Sequence, residues 1–65
     1  MKILGLDISS SKIGIALLYK DKIIISEVLK FKPGMSLEER AEIFEQRMRE
    51  INEQHVVYDV FVEQP

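Results

Sequence analysis

No cysteine occurs anywhere in the 65 residues, so neither a disulfide nor a thiolate metal site can staple the fold. A chain of this length buries only about 60% of its extended surface, which leaves stability resting on one small apolar core or on a partner. Long apolar stretches are missing as well. The longest fall far short of the roughly 20 residues a membrane span requires. Ile3-Leu4-Gly5-Leu6, closed by Asp7, is too brief for a signal peptide. Aromatic residues are few, yet the apolar residues that are present come in ordered runs, which argues against disorder. These absences describe a soluble, cytoplasmic protein with no membrane partner.

Charge of one sign is scarce in each half of the chain. Residues 1–32 hold six lysines against Asp7, Asp21 and Glu27, whereas residues 33–65 hold three arginines against eight acids. The net charge is −2. A nucleic-acid binder carries a basic footprint, and only the lysine-bearing first half offers one. Solubilising lysines on an ordinary hairpin account for it equally well.

What is there reads as β-β-β-α-β. Residues 2–7 form a short aliphatic run ended by the polar turn Ser9-Ser10-Ser11, and residues 12–19 form a second. Lys20-Asp21 makes a tight turn into residues 22–31, whose β-branched isoleucines favour a strand. Such short connections imply an antiparallel meander. Lys32-Pro33-Gly34 stops the third strand, because proline lacks a donor and glycine accepts turn geometry. Ser36-Leu37-Glu38-Glu39 then fits a capping box. Leu37, Ala41, Phe44, Met48 and Ile51 recur at helical spacing, opposite a charged face in which Glu45 and Arg49 stand in the favourable i, i+4 order. A helix of about 18 residues would be ~27 Å long, enough to cross a sheet. His55 beside its end is expected to be a cation favoured by the helix dipole. Residues 56–63 supply a fourth strand. A helical crossover returns parallel to a strand already in the sheet, and the first strand has the free edge, so the expected mixed sheet has the order 3-2-1-4.

Both faces of that sheet want cover. Ile13, Ile15 and Leu17 face one way and Ala16 and Leu18 the other, while Ile3, Leu4, Leu6, Val60, Phe61 and Val62 make the first and fourth strands apolar on both sides. Strands of this kind belong to a sheet buried on both faces, yet one amphipathic helix covers only one. The expectation is the N-terminal part of a single α/β domain, truncated after its fourth strand. A further C-terminal region, a partner or self-association would cover the second face.

Residues 3–14, ILGLDISSSKIG, resemble the first strand, turn and second-strand start of RuvC-like resolvases: an aliphatic strand with Gly, then Asp, a Ser/Gly-rich turn and a Gly a few residues on. Residues 60–65, VFVEQP, resemble their fourth strand, which ends in a catalytic Glu. The element order between the two is that of the RNase H-like fold, so the resemblance spans the whole chain, although its informative motifs occupy a minority of it. It implies a metal-dependent endonuclease acting on branched DNA such as Holliday junctions, with Asp7 and Glu63 as catalytic, metal-binding acids and Mg²⁺ or Mn²⁺ as cofactor. The physical reading agrees. Parallel neighbouring strands lie ~4.8 Å apart, and open α/β sheets hold ligands at the carboxyl ends of strands. Two acids that close repel unless a cation joins them, and paired divalent ions ~3.5–4 Å apart clamp an in-line phosphodiester displacement. The family also draws acids from a later helix, so the 65 residues are expected to hold half a site and to cleave little by themselves.

Ser9, Ser10 and Lys12 are candidate contacts to a nucleic-acid phosphate; a plain polar turn and a solvated lysine are the alternatives. Gly14 allows close approach near the site or simply packs as a small residue. Asp7 alone also reads as a turn-initiating residue, and Glu63 as a solvated strand end. Two other functions stay open. The ATP-binding domain of the actin and sugar-kinase superfamily begins similarly, but its phosphate loop places Gly where Ser9 stands. A non-catalytic scaffold binding through its uncovered face is the third class.

Overall fold

The computed structural model describes residues 2–56 and 59–63. Three strands, β1 (Lys2–Ile8), β2 (Lys12–Tyr19) and β3 (Lys22–Lys30), precede the helix α1 (Leu37–Gln54) and the strand β4 (Asp59–Glu63). They form one sheet in the order β3-β2-β1-β4, antiparallel within the first three strands and parallel between β1 and β4. The expected α/β architecture, strand order and single helix are therefore present. β4 is shorter than its sequence suggested. Its described residues are Asp59–Glu63, and Val56 is outside it; Val57 and Tyr58 lie outside the described residues.

Local chemistry fixes each connection. Ser9 closes the β1–β2 turn: its backbone N–H and its hydroxyl both donate to the Lys12 carbonyl, at 2.9 and 3.0 Å, and the Lys12 N–H donates to Ser9 Oγ at 3.3 Å. Lys20 and Asp21 both have positive φ, 50° and 63°. That is the requirement of a type I′ hairpin turn, whose twist matches that of the strands it joins. Gly34, with φ 84°, makes the bend that leads from β3 towards α1. Ser36 caps the helix by accepting from the Glu39 N–H at 3.1 Å.

Alternation along the strands separates two faces. Leu4 and Leu6 of β1 and Ile13, Ile15 and Leu17 of β2 are buried beneath Ile51 of α1, with Phe44 and Met48 packed against the same cluster. The inward stripe of the helix is narrower and rotated relative to expectation. Phe44, Met48 and Ile51 face the sheet as predicted, but Leu37 is 76% exposed and Ala41 is exposed as well. Arg40 and Arg47 take their share of the inward face. With about 100° between successive helical residues, admitting positions 40 and 47 turns Ala41 out, and Leu37 stays in solvent at the first turn.

Arg47 is there because β3 sends a carboxylate inward. Ile25, Glu27 and Leu29 alternate towards the helix, and Arg47 Nε donates to both Glu27 carboxylate oxygens, at 2.9 and 3.0 Å. Its terminal nitrogen also meets Glu27, and Glu50 lies 3.5 Å away. The hydrogen bond to Glu27 holds the guanidinium above its already high ordinary pKa. At the other end of the helix His55 is the C-cap, its N–H donating to the Ile51 carbonyl at 2.9 Å. Its ring Nδ1 lies 3.1 Å from Lys2 Nζ, which ties the helix end to the start of β1.

Two irregularities shape the edges. Between Leu17 and Leu18 the β2–β3 register shifts by one, because Leu17 pairs with Ile25 but Leu18 with Ile23. Ile24 is the extra residue, a bulge on an edge strand. At the opposite edge the helix does not reach β4: Val60 and Val62 point to the helical side yet remain about half exposed, at 52% and 46%.

Candidate metal centre

Asp7 stands opposite Glu63 in the parallel β1–β4 ladder, and opposite Gly14 in the antiparallel β1–β2 ladder. Leu6 and Ile8 on either side of Asp7 turn towards the helix, so Asp7 turns away from it. The same parity sends Glu63 to that face, since Leu6 pairs with Val62 and Asp7 with Glu63. The two acids are thus adjacent, on one side of the sheet, at the carboxyl ends of parallel strands. Adjacent strands are ~4.8 Å apart. Both acids are exposed.

The surroundings leave the pair electrostatically open. Among the described residues neither acid enters an ion pair. Among the described residues the Asp7 carboxylate makes no hydrogen bond to the turn that follows it, which Ser9 closes. Gly14 is not dictated by a clash, because a Cβ built there would meet Asp7 Cβ at 3.5 Å, an ordinary contact. It does leave the flank of the carboxylate open. Gly5, Gly14, Ala16 and Ser26 form the floor of a shallow groove, with Asp7, Glu63, Val28 and Phe61 along it.

The donor set suits a hard cation. Carboxylate oxygens are what Mg²⁺ takes, and it is commonly held by one or two of them together with water and substrate phosphate. Among the described residues no cluster of three or more metal-ligating side chains occurs. Asp59, on the same face, pairs with Ile3 at the far end of the sheet, where its carboxylate accepts from the Val60 N–H at 2.9 Å.

Of the other sequence-predicted contacts, Ser9 and Lys12 lie beside Asp7, whereas Ser10 faces a separate concavity with Arg40. Lys12 lies on the same face as Asp7, since it is two residues from Gly14, and a small concavity is lined by Asp7, Ser9, Lys12, Gly14 and Val28. Ser9 donates its only hydroxyl proton to the Lys12 carbonyl, so its first task is the turn. The Ser10 carbonyl accepts from Arg40 at 2.7 Å, tying that turn to the helix. Lys30 was not anticipated by sequence reasoning. It pairs directly with Lys12 and therefore shares its face. Only the one-residue shift at Ile24 brings it there, and no residue pattern announces that shift. No helix of the described structure is long and apolar enough to cross a membrane. Neither a protein-family model, nor a curated protein, nor a solved structure significantly matches this chain.

Proposed function

We propose that this chain carries the metal-binding acids of a RuvC-like endonuclease with an RNase H-like fold, acting in the cytoplasm on branched DNA such as Holliday junctions. One observation carries the reading: Asp7 and Glu63 are in-register neighbours on parallel strands, on the face that the helix leaves free. Like charges held side by side without a cation destabilise a sheet, so the arrangement makes chemical sense as a cation site. The βββαβ order and the two strand-end motifs support the same conclusion.

Asp7 and Glu63 would hold Mg²⁺ or Mn²⁺. When bound, such ions activate water and stabilise the leaving oxygen in phosphodiester hydrolysis. The chain's own part is positional. The β1–β4 ladder keeps both carboxylates on one face, the small residues beside them leave room for a phosphate, and Lys12 neutralises backbone charge nearby. Two carboxylates fill only part of a two-ion shell. The remaining ligands would come from a further region or a partner that also covers the open face, and the 65 residues alone should cleave little.

Paramagnetic Mn²⁺ tests the assignment directly. Titrated into isotope-labelled protein, it is expected to broaden the amide signals of Asp7, Gly14 and Glu63 first and to leave those of the Lys20–Lys22 turn sharp, with Mg²⁺ reversing the effect. Broadening centred on the acidic helix face around Glu38, Glu42 and Glu45 would sink the proposal.

A further inference from the structure

The helix-free face has a second in-register pair, of the opposite sign. Lys12 and Lys30 stand directly across from each other on β2 and β3. They lie two residues beyond the row formed by Glu63, Asp7, Gly14 and Val28, on the same face. Both lysines are exposed, and among the described residues neither is ion-paired. Like charges directly opposite on adjacent strands repel. Protection of a sheet edge explains lysine on β3, but β2 is an interior strand, so it does not explain Lys12. The concavity that joins Lys12 to Asp7 makes the two charged pairs parts of one surface.

We propose that Lys12 and Lys30 form an anion subsite that grips backbone phosphates of the nucleic acid next to the one held at Asp7 and Glu63. This inference rests on the nuclease reading for the identity of its ligand. It fixes the path of the bound strand: across the sheet from β4 towards β3, perpendicular to the strands, along their Asp7 end. Two residues along a strand span ~6.7 Å and each strand step ~4.8 Å. The lysine Cα positions are then roughly 8 to 16 Å from those of the acids. That exceeds two nucleotide rises of ~3.4 Å, so the lysines meet flanking phosphates rather than the scissile one.

The test is the salt dependence of binding to a fluorescein-labelled four-way DNA junction, read by anisotropy in buffer containing Ca²⁺. Each phosphate contact contributes about 0.9 to the slope of log K against log[salt]. K12Q/K30Q is expected to make the slope shallower by about 1.8, whereas K20Q/K22Q, which removes equal charge at the far end of the sheet, leaves it nearly unchanged. Circular dichroism verifies that both variants are folded. Equal slope changes in the two double variants, no change in either, or no binding of the junction by the unsubstituted chain would each overturn the proposal. Its fate is separable from that of the metal site. If the slope follows Lys12 and Lys30 while Mn²⁺ ignores Asp7 and Glu63, the nuclease reading fails and the anion subsite remains. If Mn²⁺ finds the acids but the slopes agree, the reverse holds.

Discussion

Leu17→Ala is expected to remove a large share of the chain's folding stability at 25 °C. Leu17 has no exposed surface and lies in the cluster formed with Leu4, Leu6, Ile13, Ile15 and Ile51. Truncating a buried leucine costs about 2–5 kcal/mol, the spread reflecting how far the cavity can collapse. At roughly 0.05–0.15 kcal/mol per residue, a domain this small has a total stability of only about 3–10 kcal/mol. No disulfide is present to soften the loss. With a urea m-value near 1 kcal/mol/M, the midpoint moves by several molar or vanishes. Leu37→Ala is the matched control, because Leu37 is largely exposed and surface changes stay within about 0.5 kcal/mol. Equal effects of the two substitutions would mean that the helix packs through a different face.

The second large effect concerns function. Asp7→Asn, and separately Glu63→Gln, is expected to weaken Mn²⁺ binding by more than about 100-fold in calorimetric titration, since loss of an outer-shell partner alone costs 10–100-fold. Without metal the sign reverses. Removing one of two like charges on neighbouring strands relieves repulsion, and each variant should gain about 0.2–1 kcal/mol of stability. Opposite movement of metal affinity and metal-free stability is the signature of a cation site. A structural Asp7 would lose stability on substitution and leave the metal response unchanged.

Most of the scaffold was legible in the sequence because its signals are local. Short polar turns dictated the meander, Ser36 marked the helix start, and the free edge of β1 left β4 one natural place to pair. The neighbouring positions of Asp7 and Glu63 followed from that topology. What escaped was decided between elements. Leu37 and Ala41 belong to a plausible apolar stripe, but Arg47 had to face inward to meet Glu27, and that pairing rotated the helix. KIIISEVLK offers apolar residues on either parity, Ile24 and Val28 or Ile25 and Leu29, so β3 alone does not reveal which set lies under the helix. Lys30 was overlooked for the same reason. His55 was read from its place at a helix end, whereas its ring partner, Lys2, comes from the opposite end of the chain.

The bulge at Ile24 gives β3 an unusual tolerance. In an ordinary strand, deleting one residue inverts every side chain beyond the cut, exchanging inside for outside. Here the residue to be removed is already surplus to the pairing: Ile23 answers Leu18 and Ile25 answers Leu17 with Ile24 left over. A chain lacking Ile24 would keep Glu27 beneath Arg47 and Lys30 across from Lys12, losing only a local twist. Excision two positions later, at Ser26, would let the bulge close instead: Glu27 stays opposite Ile15, while Ile24 takes the inward place beside Leu17 and Ile25 turns out. One surplus residue thus shields the far half of β3 from either loss, and the two shortened chains differ only in which isoleucine lies under the helix.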